Sequence, residues 1–178
     1  MLPWNVVVTC RRNGERGAVR ELRFFGRFHP MGFRDVLVGS VEDRLRFFED
    51  LRKGKEFRDP VWRYVARIVP VDEVFSFTLE TFRERLSGVV DGVAGLVPPG
   101  PFYVRIERRG YKGEIPTQDV EKEMDGRIIV AHERQGHASR VDFKEFRSVV
   151  AVETFHDQGG VAVILREEME QYPFIKVP

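Results

Sequence analysis

Phe102-Tyr-Val-Arg-Ile-Glu-Arg-Arg109 reads as a strand that ends in cations, and it runs directly into Gly110-Tyr-Lys-Gly113. Pro116-Thr-Gln-Asp-Val-Glu-Lys-Glu-Met124 follows and can start a helix, with Gly126-Arg-Ile-Ile-Val130 behind it. Arg140-Val-Asp-Phe-Lys-Glu-Phe-Arg147 comes next. The stretch closes on two apolar runs, Val149 to Phe155 and Val161 to Leu165, split by Asp157-Gln-Gly-Gly160. Two apolar runs around a polar, glycine-containing turn predict a pair of strands.

Upstream, Thr78 starts a long helix whose apolar stripe is Phe82, Leu86, Val89, Val90, Val93 and Leu96. The breaker Pro98-Pro-Gly-Pro101 ends it. A boundary is predicted between Val71 and Phe77, giving domains at 1–77 and 78–178. In the first, Asn5 to Cys10 is a strand with the continuous apolar run of a buried one. Asn13-Gly14 offers a turn and a helix start, and Ala18, Val19, Leu22 and Phe25 follow at helical spacing until Gly26. Phe33 to Val38 is a second strand. Ser40 is read as a helix cap with Asp43 three residues on, then Val41, Leu45, Phe48 and Leu51 on one face up to Gly54. Val61 to Val71 is a third strand. Strand–helix–strand–helix–strand in about 70 residues predicts a small α/β sandwich with helices on one face. The tail Gln171 to Pro178, with two prolines, is expected to be an extended arm.

Composition fits a folded globular protein: 42% hydrophobic and 32% charged. A single cysteine, Cys10, excludes an internal disulfide framework and suits a reducing cytoplasm, the expected location. Val6-Val-Val8 is cut off by Arg11-Arg12, so no signal peptide is expected, and no run approaches a membrane span. Net charge is only +1, but residues 1–77 hold 15 Lys+Arg against 11 Asp+Glu, and residues 78–178 hold 14 against 17. The acidic second half argues against a strong independent grip on RNA there, so any RNA site is expected to use both halves.

The order of features from Phe102 to Ile164 resembles the THUMP domain, a tRNA-binding module. The matching features are the strand ending in Arg-Arg-Gly, the Thr-starting helix before a Gly, the Val-Asp-Phe segment, and the paired strands around a polar turn. The resemblance implies a ferredoxin-like partner domain in front of it, and the first half looks like one. The expected fold is therefore α/β (α+β), a ferredoxin-like domain followed by a THUMP-like domain. Asn5-Val-Val-Val-Thr-Cys-Arg11 also resembles the opening of the stand-alone THUMP proteins that assist tRNA cytidine acetylation. That resemblance implies a non-catalytic adaptor that is not an enzyme. It would present the acceptor end of tRNA to a separate modifying enzyme. A protein–protein module on the same fold is the alternative, since fold does not fix function.

The candidate RNA contacts fall in three clusters. Arg105, Arg108, Arg109 and Lys112 sit at a strand end, with Gly110 and Gly113 able to bring backbone N–H groups close to a phosphate. Tyr111 is placed to stack on a base or to pack on its own loop. Arg140, Lys144 and Arg147 form the second cluster, diluted by Glu133, Asp142 and Glu145, so that surface pairing competes. Arg12, Arg16 and Arg20 form the third, with Arg16 and Arg20 on one helical face. A solvated, charged helix face is the competing reading there. His29, His132, His137 and His156 lack metal-site spacing, so no metal is expected. Cys10 beside Arg11 and Arg12 is either a lowered-pKa thiol or a small core residue, and its strand position favours the core. No Gly-x-Ser-x-Gly, P-loop or Gly-x-Gly-x-x-Gly occurs, so no cofactor and no catalytic set are expected.

Overall fold

A computed structural model of the protein describes residues 3–56 and 59–178. The chain divides into two compact units, residues up to Val71 with Gln171–Lys176, and Asp72–Glu170. The change of unit falls at the start of the expected boundary stretch Val71–Phe77, and the tail residues Gln171–Lys176 group with the first unit.

The first unit follows the order β1 (Val6–Cys10), α1 (Glu15–Leu22), β2 (Gly26–Pro30), β3 (Val36–Val41), α2 (Arg44–Glu56), a 3-10 turn at Pro60–Arg63 and β4 (Val65–Pro70). Its strands lie in the order β2-β3-β1-β4, all antiparallel. This βαββαβ order is the ferredoxin-like arrangement. Val6, Val7 and Val8 are buried in the central β1, as the apolar run requires. Gly26 opens β2, a strand the sequence reading passed over. Ser40 lies inside β3 and caps nothing; Asp43 takes that role, its Oδ1 accepting from the N–H of Arg46 at 2.9 Å. Helix α2 buries Phe47, Phe48 and Leu51, leaves Leu45 exposed, and runs through Gly54.

The tail completes this unit. The N–H of Ile68 donates to Phe174 O at 2.9 Å, and Ile68 pairs with Ile175 in a parallel bridge, which covers the edge of β4. The Phe174 ring lies 5.9 Å from Phe48 and 5.2 Å from Trp62, and the Tyr172 hydroxyl donates to Glu49 at 2.8 Å. Aromatic burial, not chain order, assigns these residues to the first unit.

The second unit holds β5 (Glu73–Ser76), α3 (Phe82–Val93), β6 (Pro101–Arg109), α4 (Thr117–Arg134), β7 (Arg140–Val141), β8 (Ser148–Phe155), β9 (Gln158–Leu165) and α5 (Arg166–Gln171). Its sheet order is β5-β9-β8-β6-β7, with β6 parallel to β8 and β8 antiparallel to β9. Phe102, Val104 and Ile106 of β6 and Val150 and Val152 of β8 pack against Phe82, Leu86 and Val90 of α3 and Val120, Met124 and Ile128 of α4. Each such side chain contributes about 1.5–3 kcal/mol on burial. A surface pair such as Arg83–Glu123, at 2.6 Å, adds at most about 1 kcal/mol. The apolar layer therefore fixes the helices on the sheet. Helix α4 runs straight through Gly126 to Arg134, well past the expected start segment. Among the described residues no helix is long and apolar enough to cross a membrane.

Candidate nucleic-acid interface

Strand β6 organises the candidate residues. Its alternation sends Phe102, Val104 and Ile106 into the helix layer and Tyr103, Arg105, Glu107 and Arg109 to the opposite face. Arg109 is 10% exposed and pairs with Glu153, itself 2% exposed, with Glu107 3.8 Å away and the Phe155 ring 5.0 Å beneath. Its charge is neutralised inside the sheet. Arg108 Nη1 donates to Gly110 O at 2.6 Å, and its Nε is buried without a hydrogen bond. Beyond them the chain turns through Gly110 (φ +92°), Tyr111 (φ +47°) and Gly113 (φ +85°). The left-handed φ suits both glycines. Tyr111 packs on the apolar core with Phe77 at 6.2 Å, and its carbonyl accepts from Glu114 and Ile115. Of the stacking and packing alternatives, packing is what the ring does. Lys112 projects to solvent and has no side-chain partner among the described residues.

The second cluster lies at the other end of the strand. Pro101 and Phe102 pair with Arg140 and Val141, whereas Arg109 pairs with Phe155. Eight residues of strand separate the two ends, about 26 Å. The two clusters that the sequence reading separated therefore lie at opposite ends of the strand. Asp142 Oδ1 accepts from the N–H groups of Lys144 and Glu145 at 3.0 and 2.9 Å. Those two bonds, with Arg140 beside it, hold the Asp142 carboxyl below its usual range. Arg140 lies 3.6 Å from that carboxylate, exposed and only weakly engaged. Arg147 donates to Pro99 O at 3.2 Å, bracing the loop. Lys144 projects to solvent without a side-chain partner among the described residues.

A buried histidine braces the same end. His132 Nε2 lies 3.2 Å from Ala94 O and Nδ1 2.6 Å from Ser139 Oγ, so both ring nitrogens are engaged. Ser139 Oγ accepts in turn from the N–H of Gly100 at 3.0 Å. The chain 137–140 is thereby tied to the start of β6.

In the first unit, Arg12 and Arg16 are exposed and have no partner among the described residues. Arg20 is engaged by Glu21 at 2.9 Å and Tyr64 Oη at 3.2 Å. Burial pushes the Cys10 thiol up to about 12, with Glu15 and Asp35 adding to it, so it is a core residue and no nucleophile. Among the described residues no group of three metal-ligating side chains occurs.

The sequence reading missed Phe143, 57% exposed, and the buried carboxylates Glu121 and Asp125 of α4. Strand β7 stops after two residues, leaving the edge of β6 open from Tyr103 onward. Glu121 and Asp125 close it: Ile106 N–H donates to Glu121 Oε1 and Val104 N–H to Asp125 Oδ1, both at 2.8 Å. Their i,i+4 spacing was the available signal, since it puts both on one helical face. Burial, with Glu121 adding to it and the Val104 N–H opposing, raises the Asp125 carboxyl to about 6.

No protein-family model and no curated protein matches the sequence. Solved structures do match. TrmN from Thermus thermophilus is 16% identical, with a TM-score of 0.59 over 90% of this chain and 44% of its own. A "possible methylase" from Clostridium difficile 630 is 11% identical, with a TM-score of 0.57 over 90% of this chain and 41% of its own. A 4-thiouridine synthetase in complex with RNA and ATP is 10% identical, with a TM-score of 0.55 over 92% of this chain and 42% of its own. The chain thus spans under half the length of these proteins, and at such identity the likeness is one of fold. The expectation of a protein that is not an enzyme is corrected by them, because this fold is carried within proteins named for catalysis. The likeness bears out the expected α/β fold class.

Proposed function

We propose that this chain recognises tRNA as the substrate-binding portion of a tRNA-modifying catalytic system. Lys112, Arg140 and Lys144 of the second unit make the phosphate contacts, and Arg12 and Arg16 supply further ones from the first. The observation that carries the reading is that Lys112, Lys144, Arg12 and Arg16 face solvent with no side-chain partner among the described residues. Exposed cations free of side-chain partners are what phosphate binding needs. A 4-thiouridine synthetase of the same fold in complex with RNA supports the choice of ligand.

The test is a fluorescence titration with total tRNA, intact and with its 3′ end trimmed, at two salt concentrations. Binding should weaken steeply with salt, and trimming should weaken it further. Combined reversal of Lys112, Arg140 and Lys144 to Glu should lower affinity at least about tenfold and flatten the salt dependence, with Tm unchanged. Salt-insensitive binding, or full affinity in the triple variant, would overturn the reading.

A further inference from the structure

A pocket of about 270 Å³ opens beside the edge of β6 that Glu121 and Asp125 close, lined by Arg105, Gln118, Glu121, Lys122, Asp125 and Phe143. We infer that it is a nucleobase pocket for an unstacked base bearing an exocyclic amine, in preference to uracil. This rests on the tRNA-binding reading and gives that surface a base-recognising subsite.

Three observations carry it. The first is Phe143, an exposed aromatic on a rigid loop. The Asp142 turn holds the loop from one side, and from the other Arg166 Nη1 donates to the carbonyls of Lys144 and Phe146 at 3.2 and 3.4 Å. Tyr103 lies 5.1 Å behind the ring, and the Arg105 guanidinium lies 5.9 Å from it. A fixed, largely exposed ring with a cation over it is a stacking platform for any base.

The second is the pair of carboxylates. Glu121 is 9% and Asp125 6% exposed. Each uses one oxygen to accept from the strand edge. The second oxygen of each has no hydrogen bond among the described residues, and both residues line the pocket. A carboxylate accepts from amino groups such as cytosine N4 and the amines of adenine and guanine. Uracil, with carbonyls flanking its single ring N–H, meets the same oxygens with repulsion.

The third is charge balance. Arg105 and Lys122 offset Glu121 and Asp125, so the pocket is formally neutral. A phosphate site would carry excess cation, and a metal site would not hold two cationic side chains. The volume lies below the roughly 300–1,000 Å³ of pockets for drug-sized ligands, in keeping with a single base. The backbone phosphates are left to Arg140 and Lys144 on the neighbouring loop.

The experiment is fluorescence anisotropy with labelled adenosine, cytidine and uridine hexanucleotides, run alongside total tRNA. The adenosine and cytidine probes should bind about tenfold or more tighter than the uridine probe. Phe143→Ala should weaken all three by roughly tenfold, the size of one lost stack. Glu121→Gln keeps the acceptor for Ile106 N–H and turns an amide donor toward the pocket. It should narrow or reverse the preference against uridine, with Tm unchanged. Equal binding of the three hexamers, or an unaffected Phe143→Ala, with tRNA still bound, would overturn the pocket and leave the tRNA reading standing. Absence of tRNA binding would overturn both.

Discussion

The two ends of β6 carry cations to opposite fates. At the C-terminal end, Arg109 meets Glu153 of the neighbouring strand and disappears into the sheet. At the N-terminal end, Arg140 and Lys144 stand on a loop whose Asp142 carboxylate is engaged by backbone N–H groups. A run of arginines in sequence therefore does not measure a surface charge. What decides is whether the adjacent strand offers a buried carboxylate at that register, and that partner lies 44 residues away in the chain.

The comparison breaks most sharply at Arg109. Arg109→Ala should destabilise the protein by about 3–5 kcal/mol, because the buried Glu153 carboxylate loses its guanidinium partner. Replacing both partners by apolar residues of similar size should recover most of that loss. Urea denaturation of the three variants checks it; a single variant as stable as wild type would place Arg109 on the surface.

Midway along the strand, Asp125→Asn sharpens the comparison. The carboxyl titrates at about 6 in the folded chain, above the ordinary aspartate value near 4. The folded state thus holds a proton that the unfolded state releases in this window. The stability this contributes is present below pH 4 and is lost as pH rises to 6. Asparagine keeps the acceptor for Val104 N–H without the charge. It should be more stable than wild type at pH 7.5 by about 1–2 kcal/mol, after screening through the pocket mouth is allowed for. The gain should vanish by pH 4. Thermal unfolding at both pH values decides, and a gain independent of pH would contradict the assignment.

The smallest stability effects belong to the exposed end. Arg140→Ala and Lys144→Ala should change stability by less than about 0.5 kcal/mol. Each should reduce the magnitude of the salt slope for tRNA by about 1. Denaturation and salt titration on the same samples measure the two together.

The elements whose apolar patterns are self-contained were legible from sequence. Val6-Val-Val8 marked β1, and the two apolar runs after Ser148 marked β8 and β9. The α/β sandwich of the first unit followed from alternating strands and helices and its ferredoxin-like character from the family resemblance, although β2 was missed because only Phe28 of its five residues is buried. Short β5 gave no periodicity, since Phe75 alone of its four residues is buried. The tail was misassigned because Tyr172, Phe174 and Ile175 find their partners in β4 and α2, about a hundred residues earlier. The loops carrying Lys112, Arg140 and Lys144 were visible as charge beside glycine and turn residues. That Arg109 is neutralised and that Phe143 stands exposed depended on strand register, which no local pattern reveals.

The most direct test of the central claim, that the solvent-facing cations and not the buried ones hold tRNA, is the salt dependence of tRNA affinity in two variants. The first reverses Lys112, Arg140 and Lys144 to Glu; the second replaces Arg109 and Glu153 together with apolar residues. A flattened slope in the first and a wild-type slope in the second is the predicted result. The opposite pattern would contradict it.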